Sequence, residues 1–516
     1  MTSVLSLSLL PPGHTHQVDH GEYKVLLSNV DGEVYAVESK CSHFGLPLEN
    51  AALEGHTIRC PFHHACFDVR NGKQLEAPGL DGIAHFAVSV ADGQIYLPLH
   101  PSAPKLPDPA PAISTQHVDN QHFDYAIVGG GIAAANAVYG IREYDNEGSI
   151  VLITSEDLPP YDRTHVSKAL LAGGKDVADL PLHSEAFYKE RGVTLLEKTT
   201  ADRVDVEAKK ISCGGNEITY GRVLLATGGK PVTLRGEGSD LDGIYTVRNA
   251  HDGQAIREQV SEGTKVVIIG GSFIGLEAAM SLGKQGGDIT VVTPETVLFE
   301  KVFGEQVGKY IQSLHEDAGV KFKLGRKSDS FRGDGSVAAV VLDNGEELPA
   351  EVVVVGIGVK PATDYLARLA TDDDGGVQVN NHLAANVDGV YAAGDIARYP
   401  GREGAVRIEH WKVAAQQGRV AGRNMAGHAE PYTMLPFFWS NQQGVNFRYA
   451  GHGDDYDQVL LDGTPGEGPF LAFYTKGDHL QAVLGVKRDH ETAVIANRMA
   501  AGTLPGNDEL VGYDWK

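Results

Sequence analysis

The chain has 516 residues, 42% of them hydrophobic and 22% charged, with a formal net charge of −24. That length exceeds one ordinary core and implies several domains. The charge argues against nucleic acid or an anionic membrane surface as a partner, and no apolar run reaches the length a membrane span needs. Four cysteines are too few for a disulfide framework at this length, so a reducing, cytoplasmic setting is expected. The opening "MTSVLSLSLLPPG" has no basic n-region and no small-residue cleavage site, so a signal peptide is not expected.

Residues 1–100 read as a small all-β domain. "VDGEVY" and "ADGQIY" each place Asp-Gly between apolar alternations, the pattern of a two-residue hairpin turn. Within this segment "CSHFG" and "CPFHHACFD" supply Cys41 and His43, then, after a spacer of sixteen residues, Cys60 and His63. Two matched half-sites, each one thiolate and one imidazole, point to a metal centre. Zinc accepts the same atoms, but the one-residue gap and the long spacer fit a zinc finger poorly. Residues 101–122, "PSAPKLPDPAPAISTQHVDNQH", are crowded with proline and read as a semi-extended linker.

From Phe123 the pattern becomes α/β. "FDYAIVGGGIAAANAVYGIREY" predicts a buried strand, a glycine turn and a helix; "GSIVLITSE" predicts the next strand. Gly129, Gly131 and Ala134 form G-x-G-x-x-A at that turn, so that the backbone can approach a pyrophosphate lying on the helix N-terminus. Glu156, ending the second strand, lies where a carboxylate would accept from a ribose hydroxyl. A second unit opens at Lys265, where Gly270, Ser272 and Gly275 repeat the turn with serine in the middle glycine's place. Two dinucleotide sites in one chain suit a flavin and the nicotinamide that reduces it. A β-rich tail follows from Pro431.

The cysteine-histidine segment resembles a Rieske [2Fe-2S] domain, in a match that continues through Phe67-Asp68. The resemblance implies that Cys41 and Cys60 hold one iron while His43 and His63 hold the other. High-potential members carry a further cysteine in each loop, joined as a disulfide. Leu46 and Phe62 stand at those places here, which implies the lower-potential, ferredoxin-like branch. Cys66 is expected as a buried small hydrophobe, and His64 departs from the family's usual glycine.

Residues 123–516 resemble the FAD-dependent NAD(P)H ferredoxin reductases of the apoptosis-inducing-factor and oxygenase-reductase type. The likeness is carried in order by "PYDRTHVSK", "LLATGGKP", "VVVVGIGVKP", "VYAAGDIA" and "IEHWKVAAQQG". It implies FAD contacts from Arg163, Lys168, Thr227, Gly228 and Asp395, with Glu277 of "FIGLE" paired to Lys168 beside the isoalloxazine and Trp411 near flavin and nicotinamide. Gly358 would belong to the nucleotide site. The fold expected is multidomain: a Rieske domain (1–100), the linker (101–122), a discontinuous FAD-binding Rossmann-like domain (123–246 and 371–430), an NAD-binding Rossmann-like domain (247–370) and a C-terminal α+β reductase domain (431–516).

With Cys213 the one cysteine after residue 122, dithiol chemistry is ruled out. The expected function is an NAD(P)H-dependent flavoprotein that passes hydride to FAD, then single electrons to its own cluster and on to an unidentified acceptor. A slowly turning redox sensor of apoptosis-inducing-factor type is the second reading. NADH is expected over NADPH: Glu295 lies two residues past Thr293, which holds the usual ribose position, and a carboxylate there repels a 2′-phosphate. Composition and motifs leave the oligomeric state open.

Overall fold

Asp-Gly turns organise the N-terminal sheets as their sequence predicts. In the computed structural model, which describes residues 1–102, 118–402 and 404–515, Asp31 and Gly32 both have positive φ, as do Asp92 and Gly93. That is what a type I′ hairpin turn demands. It sets Val30 opposite Glu33 and Ala91 opposite Gln94. Of the expected linker, residues 103–117 lie outside the described residues.

The chain divides into two compact units. The first gathers the described residues of Met1–Pro107, Thr433–Trp439 and Phe447–Lys516. Its N-terminal part has a four-stranded sheet (Thr15–His20, Tyr23–Val30, Glu33–Glu38, His85–Phe86) and a three-stranded one. A small four-stranded sheet (Ala52–Glu54, Thr57–Arg59, Cys66–Asp68, Gln74–Glu76) holds the second cysteine loop between its second and third strands. The C-terminal part is an antiparallel sheet backed by the helix Asp489–Ala501. The two parts share a core, since Ala52 is buried in one cluster with Phe437, Phe473 and Ile495. Arg59, 4% exposed, grips Glu76 with both terminal nitrogens and donates through Nε to Asn497 Oδ1 at 2.6 Å. A buried guanidinium needs that full set of acceptors.

The second unit gathers the described residues of Asp108–Tyr432 and Ser440–Asn446. One sheet is built on parallel pairing of His122–Val128 with Ile150–Ile153 on one side and Asn216–Leu225 on the other. The late strand Val390–Ala392 pairs with Asn216–Leu225, returning the chain to this sheet. A second, all-parallel sheet runs Ile244–Thr246, Val352–Val355, Lys265–Ile269, Asp288–Thr293, Lys321–Leu324. Its three inner strands, Val352–Val355, Lys265–Ile269 and Asp288–Thr293, are rich in β-branched residues because both faces are covered.

The helix Ile132–Arg142 packs on Trp411–Met425 through glycine. A Cβ on Gly418 would stand 2.1 Å from the Ala133 carbonyl oxygen, and one on Gly140 would stand 2.1 Å from that of Arg419. Removing the side chain lets the backbones approach, and both helices begin at the first dinucleotide turn's cavity.

Candidate functional site

Strand His122–Val128 ends in a turn pressed against its neighbours. A Cβ on Gly129 (φ 131) would lie 2.1 Å from the Ala226 oxygen, and one on Gly130 would lie 2.3 Å from Thr154 Oγ1. Gly131 is different: a Cβ there would meet nothing within 4 Å. It is the N-cap of helix Ile132–Arg142, so the helix's unbonded amides and positive end open onto free space. Ala134 is buried within the helix.

Two joined cavities start at this turn. One of about 540 Å³ is lined by Gly129, Gly131, Glu156, Arg163, Thr227 and Gly228. The other, of about 220 Å³, is lined by Lys168, Glu277, Asp395, Glu409 and Trp411, and shares Gly131, Arg163, Gly228 and Arg248 with the first. Glu156 accepts from Tyr161 Oη at 2.7 Å and from Arg163, so these side chains fix each other at the junction. Thr227 Oγ1 donates to the Ala362 carbonyl at 2.7 Å. Asp395 accepts from Arg248 at 3.3 Å.

The segment "DRTHVSK" forms a 3₁₀ turn, Arg163–His165, then a π-helical turn, Val166–Leu170. Such turns interrupt the regular helical ladder and are common at functional sites. This one sends Ser167 and Lys168 to the same carboxylate. Glu277 is 7% exposed as a side chain; its Oε2 lies 2.9 Å from Lys168 Nζ and accepts from Ser167 Oγ at 2.7 Å. Its Oε1 accepts from Ser440 Oγ at 3.1 Å. The sequence-predicted pair is therefore brought together on a cavity wall.

Sequence reasoning missed Arg248, Glu409 and Ser440. Glu409 stands inside the "EHW" motif, so proximity to Trp411 was its available signal. Burial pushes its carboxyl above the usual range, the hydrogen bond from Arg407 opposes this, and the charge of Asp395 adds to it. Arg248 and Ser440 carry no local signal; only the fold delivers them.

In the second turn Gly270 (φ 114) and Gly275 are glycines of close packing, each 2.3 Å from a backbone oxygen at the Cβ position. Ser272 is the N-cap of helix Phe273–Gly283: its Oγ accepts from the Gly275 amide at 3.2 Å and donates to the Gly356 carbonyl at 2.8 Å. Serine thus replaces a glycine by capping. Gly358 (φ 114) faces open space. Thr293 is buried and donates to the Glu295 carboxylate, while Glu295 itself is exposed.

In the first unit the two cysteine loops are near copies. Cys41 N donates to Leu46 O and Gly45 N to Cys41 O, at 2.9 and 2.8 Å. Cys60 N donates to Ala65 O and His64 N to Cys60 O, at 2.8 and 2.9 Å. The fifth residue of each loop is left-handed, Gly45 at φ 68 and His64 at φ 59. This explains why a glycine suits His64's position. Cys41 and Cys60 are buried and hydrogen-bonded to each other, a bond that raises the Cys41 thiol and lowers that of Cys60. His43 Nδ1 and His63 Nδ1 lie 3.3 Å apart. Sulfur thus meets sulfur and nitrogen meets nitrogen, the two donor pairs that the two irons of a Rieske cluster would take. Among the described residues no three of His, Cys, Asp or Glu converge on one ion position. Cys66 is fully buried, its thiol directed at the His64 carbonyl at 3.6 Å. Both sites fit their expected groups: the open glycine cradle suits a pyrophosphate, and the paired donors suit [2Fe-2S].

Residues 123–418 match the family Pyridine nucleotide-disulphide oxidoreductase, residues 1–87 the Rieske [2Fe-2S] domain, and residues 437–514 the Reductase C-terminal family. Apoptosis-inducing factor 3 of Homo sapiens is 33% identical over 504 residues, 96% of this chain and 83% of that protein. The anthranilate 1,2-dioxygenase system ferredoxin–NAD(+) reductase component of Burkholderia cepacia is 31% identical over 75% of this chain and 96% of that one. Putidaredoxin reductase, in its covalent complex with putidaredoxin, superposes with a TM-score of 0.71 at 28% identity, covering 77% of this chain and 96% of that one. The chain belongs to the FAD-dependent pyridine nucleotide-disulphide oxidoreductases of ferredoxin-reductase type, and it carries a Rieske [2Fe-2S] domain on the same polypeptide.

Proposed function

We propose that this protein oxidises NADH at its FAD and delivers the electrons one at a time to its own Rieske cluster, which then reduces an external acceptor. The observation that carries this reading is the wall where Lys168 and Glu277 meet, opening on the cavity that begins at Gly131. When bound, FAD accepts a two-electron hydride and releases single electrons, which a [2Fe-2S] cluster takes one at a time.

The chain's own residues have separable tasks. The amides at Gly131 would receive the pyrophosphate. Glu156, locked by Tyr161 and Arg163, presents its remaining lone pairs to a ribose. Asp395, on the cavity wall, would hold hydroxyls or phosphate of the cofactor. Lys168 holds a positive charge at the cavity, and Glu277, held by two serine hydroxyls, fixes where that charge sits. Burying a carboxylate such as Glu277 rarely adds stability even beside a partner, which supports a role in the chemistry. Glu295, anchored by Thr293, favours NADH by repelling a 2′-phosphate. A ferredoxin-type protein is the acceptor class supported by the relatives' names.

Anaerobic titration with NADH, following flavin and cluster absorbance together, tests the scheme. Both chromophores should bleach, and Cys60→Ser should lose iron while its flavin still bleaches. Bleaching of flavin without any electron reaching an intact cluster would refute the proposed path. Fast cluster reduction separates this enzyme from a slow redox sensor.

A further inference from the structure

We propose that the C-terminal sheet is a built-in lid on the histidine edge of the Rieske cluster, with Trp439 as the positioning residue that sets the cluster's reduction potential. The inference rests on the cluster assignment above. The Trp439 ring lies 4.6 Å from that of His63 and 6.0 Å from that of His43, centroid to centroid, tilted at 60° and 73°. One side chain of the reductase C-terminal region therefore covers both imidazole ligands.

Three consecutive residues of the second cysteine loop are engaged by that region. The Phe62 carbonyl accepts from Arg448 Nε at 2.9 Å. His63 meets Trp439. His64 stacks on Phe437 at 3.9 Å with an interplanar angle of 20°, and Phe437 stacks on Trp439 at 6.1 Å. His64 pays for this contact in backbone conformation: its φ of 59 is the left-handed value that Gly45 takes in the matching loop. A side chain kept in that conformation and fully buried against Phe437 fits a residue retained for docking.

The consequence follows from charge. With two thiolates and two neutral imidazoles the cluster goes from neutral to singly negative on reduction, and water at the imidazole edge stabilises the negative form. An indole in place of that water holds the potential down. Phe44 also stacks on His43, at 3.7 Å, and is itself 50% exposed.

The test uses the full-length protein with flavin and cluster loaded, measuring iron content, the g values of the reduced cluster and both midpoint potentials. Trp439→Ala should raise the cluster midpoint and alter the g values, with the flavin midpoint unmoved; Trp439→Phe should shift the midpoint less. His64→Gly, which relaxes the backbone but loses the stack, should shift it in the same direction at full iron content. Unchanged midpoint and g values in Trp439→Ala overturn the proposal. If that variant does not keep its iron, an unchanged midpoint in His64→Gly does so. Absence of a [2Fe-2S] signal from the parent would remove the cluster assignment itself.

Discussion

Gly418→Ala is a single-methyl test of how the first dinucleotide site is held. The added Cβ would stand 2.1 Å from the Ala133 oxygen and 2.7 Å from its carbonyl carbon and Cα, where ordinary contact begins at 3.4 Å. Both partners are helical backbone, so the helices must separate by about 1 Å. Overpacking of this kind costs about 1–3 kcal/mol, and alanine's better helix propensity returns about 1 kcal/mol, leaving a net loss of up to ~2 kcal/mol. At roughly 2–4 °C per kcal/mol for a domain of this size, the flavin-release midpoint should fall by a few degrees. Free FAD should also appear at lower dilution, because the displaced helix begins at Gly131. The assay is flavin-fluorescence thermal release, with Gly283→Ala as control. That glycine is also helical, but its Cβ would meet only Ile289, at 3.7 Å, so alanine there should be neutral or stabilising. If the two variants release flavin alike, the glycine-mediated packing argument is wrong.

Glu277→Gln keeps the side chain's size but removes the charge opposite Lys168, and should slow NADH reduction of the flavin about tenfold, the kinetic equivalent of ~1.5 kcal/mol for a hydrogen bond to a charged group. Stopped-flow bleaching checks this, and the Lys168→Met/Glu277→Gln double variant should be no slower than the worse single one. Glu295→Ala should narrow the NADH-over-NADPH ratio of kcat/KM by roughly tenfold; an unaltered ratio would discard Glu295 as the discriminator. His315 is fully buried, its Nε2 2.7 Å from Gln442 Oε1, and burial lowers its pKa below 6.5, the bond to Gln442 opposing. A depressed histidine contributes stability above its unfolded pKa and loses it as pH falls through the folded value. Melting temperature should therefore drop below about pH 6.5 in the parent, less steeply in His315→Gln; parallel profiles would contradict this.

Chemistry written as local spacing was legible in the sequence. The two Asp-Gly turns fix their own dihedrals, the cysteine loops are six-residue units closed by their own backbone bonds, and each glycine turn lies between its strand and its helix. The Lys168–Glu277 partnership is legible only through family resemblance, since no spacing rule joins residues that far apart. Other features were settled only by tertiary structure. Gly418 and Gly140 look like ordinary helical glycines until two helices are brought into contact. Ser272 looks like a defect in a motif until its hydroxyl is found capping the helix. Arg248, Glu409 and Ser440 converge on the site from segments whose local pattern does not mark them. The docking of the N-terminal β domain on the C-terminal sheet was also unwritten: a proline-rich linker suggests independence, while the shared core around Ala52 and the buried Arg59–Asn497 bond join the two. Hydrogen-bond closure and dihedral preference act over a few residues and leave a pattern in the chain; packing acts between surfaces that meet only after folding, and leaves none.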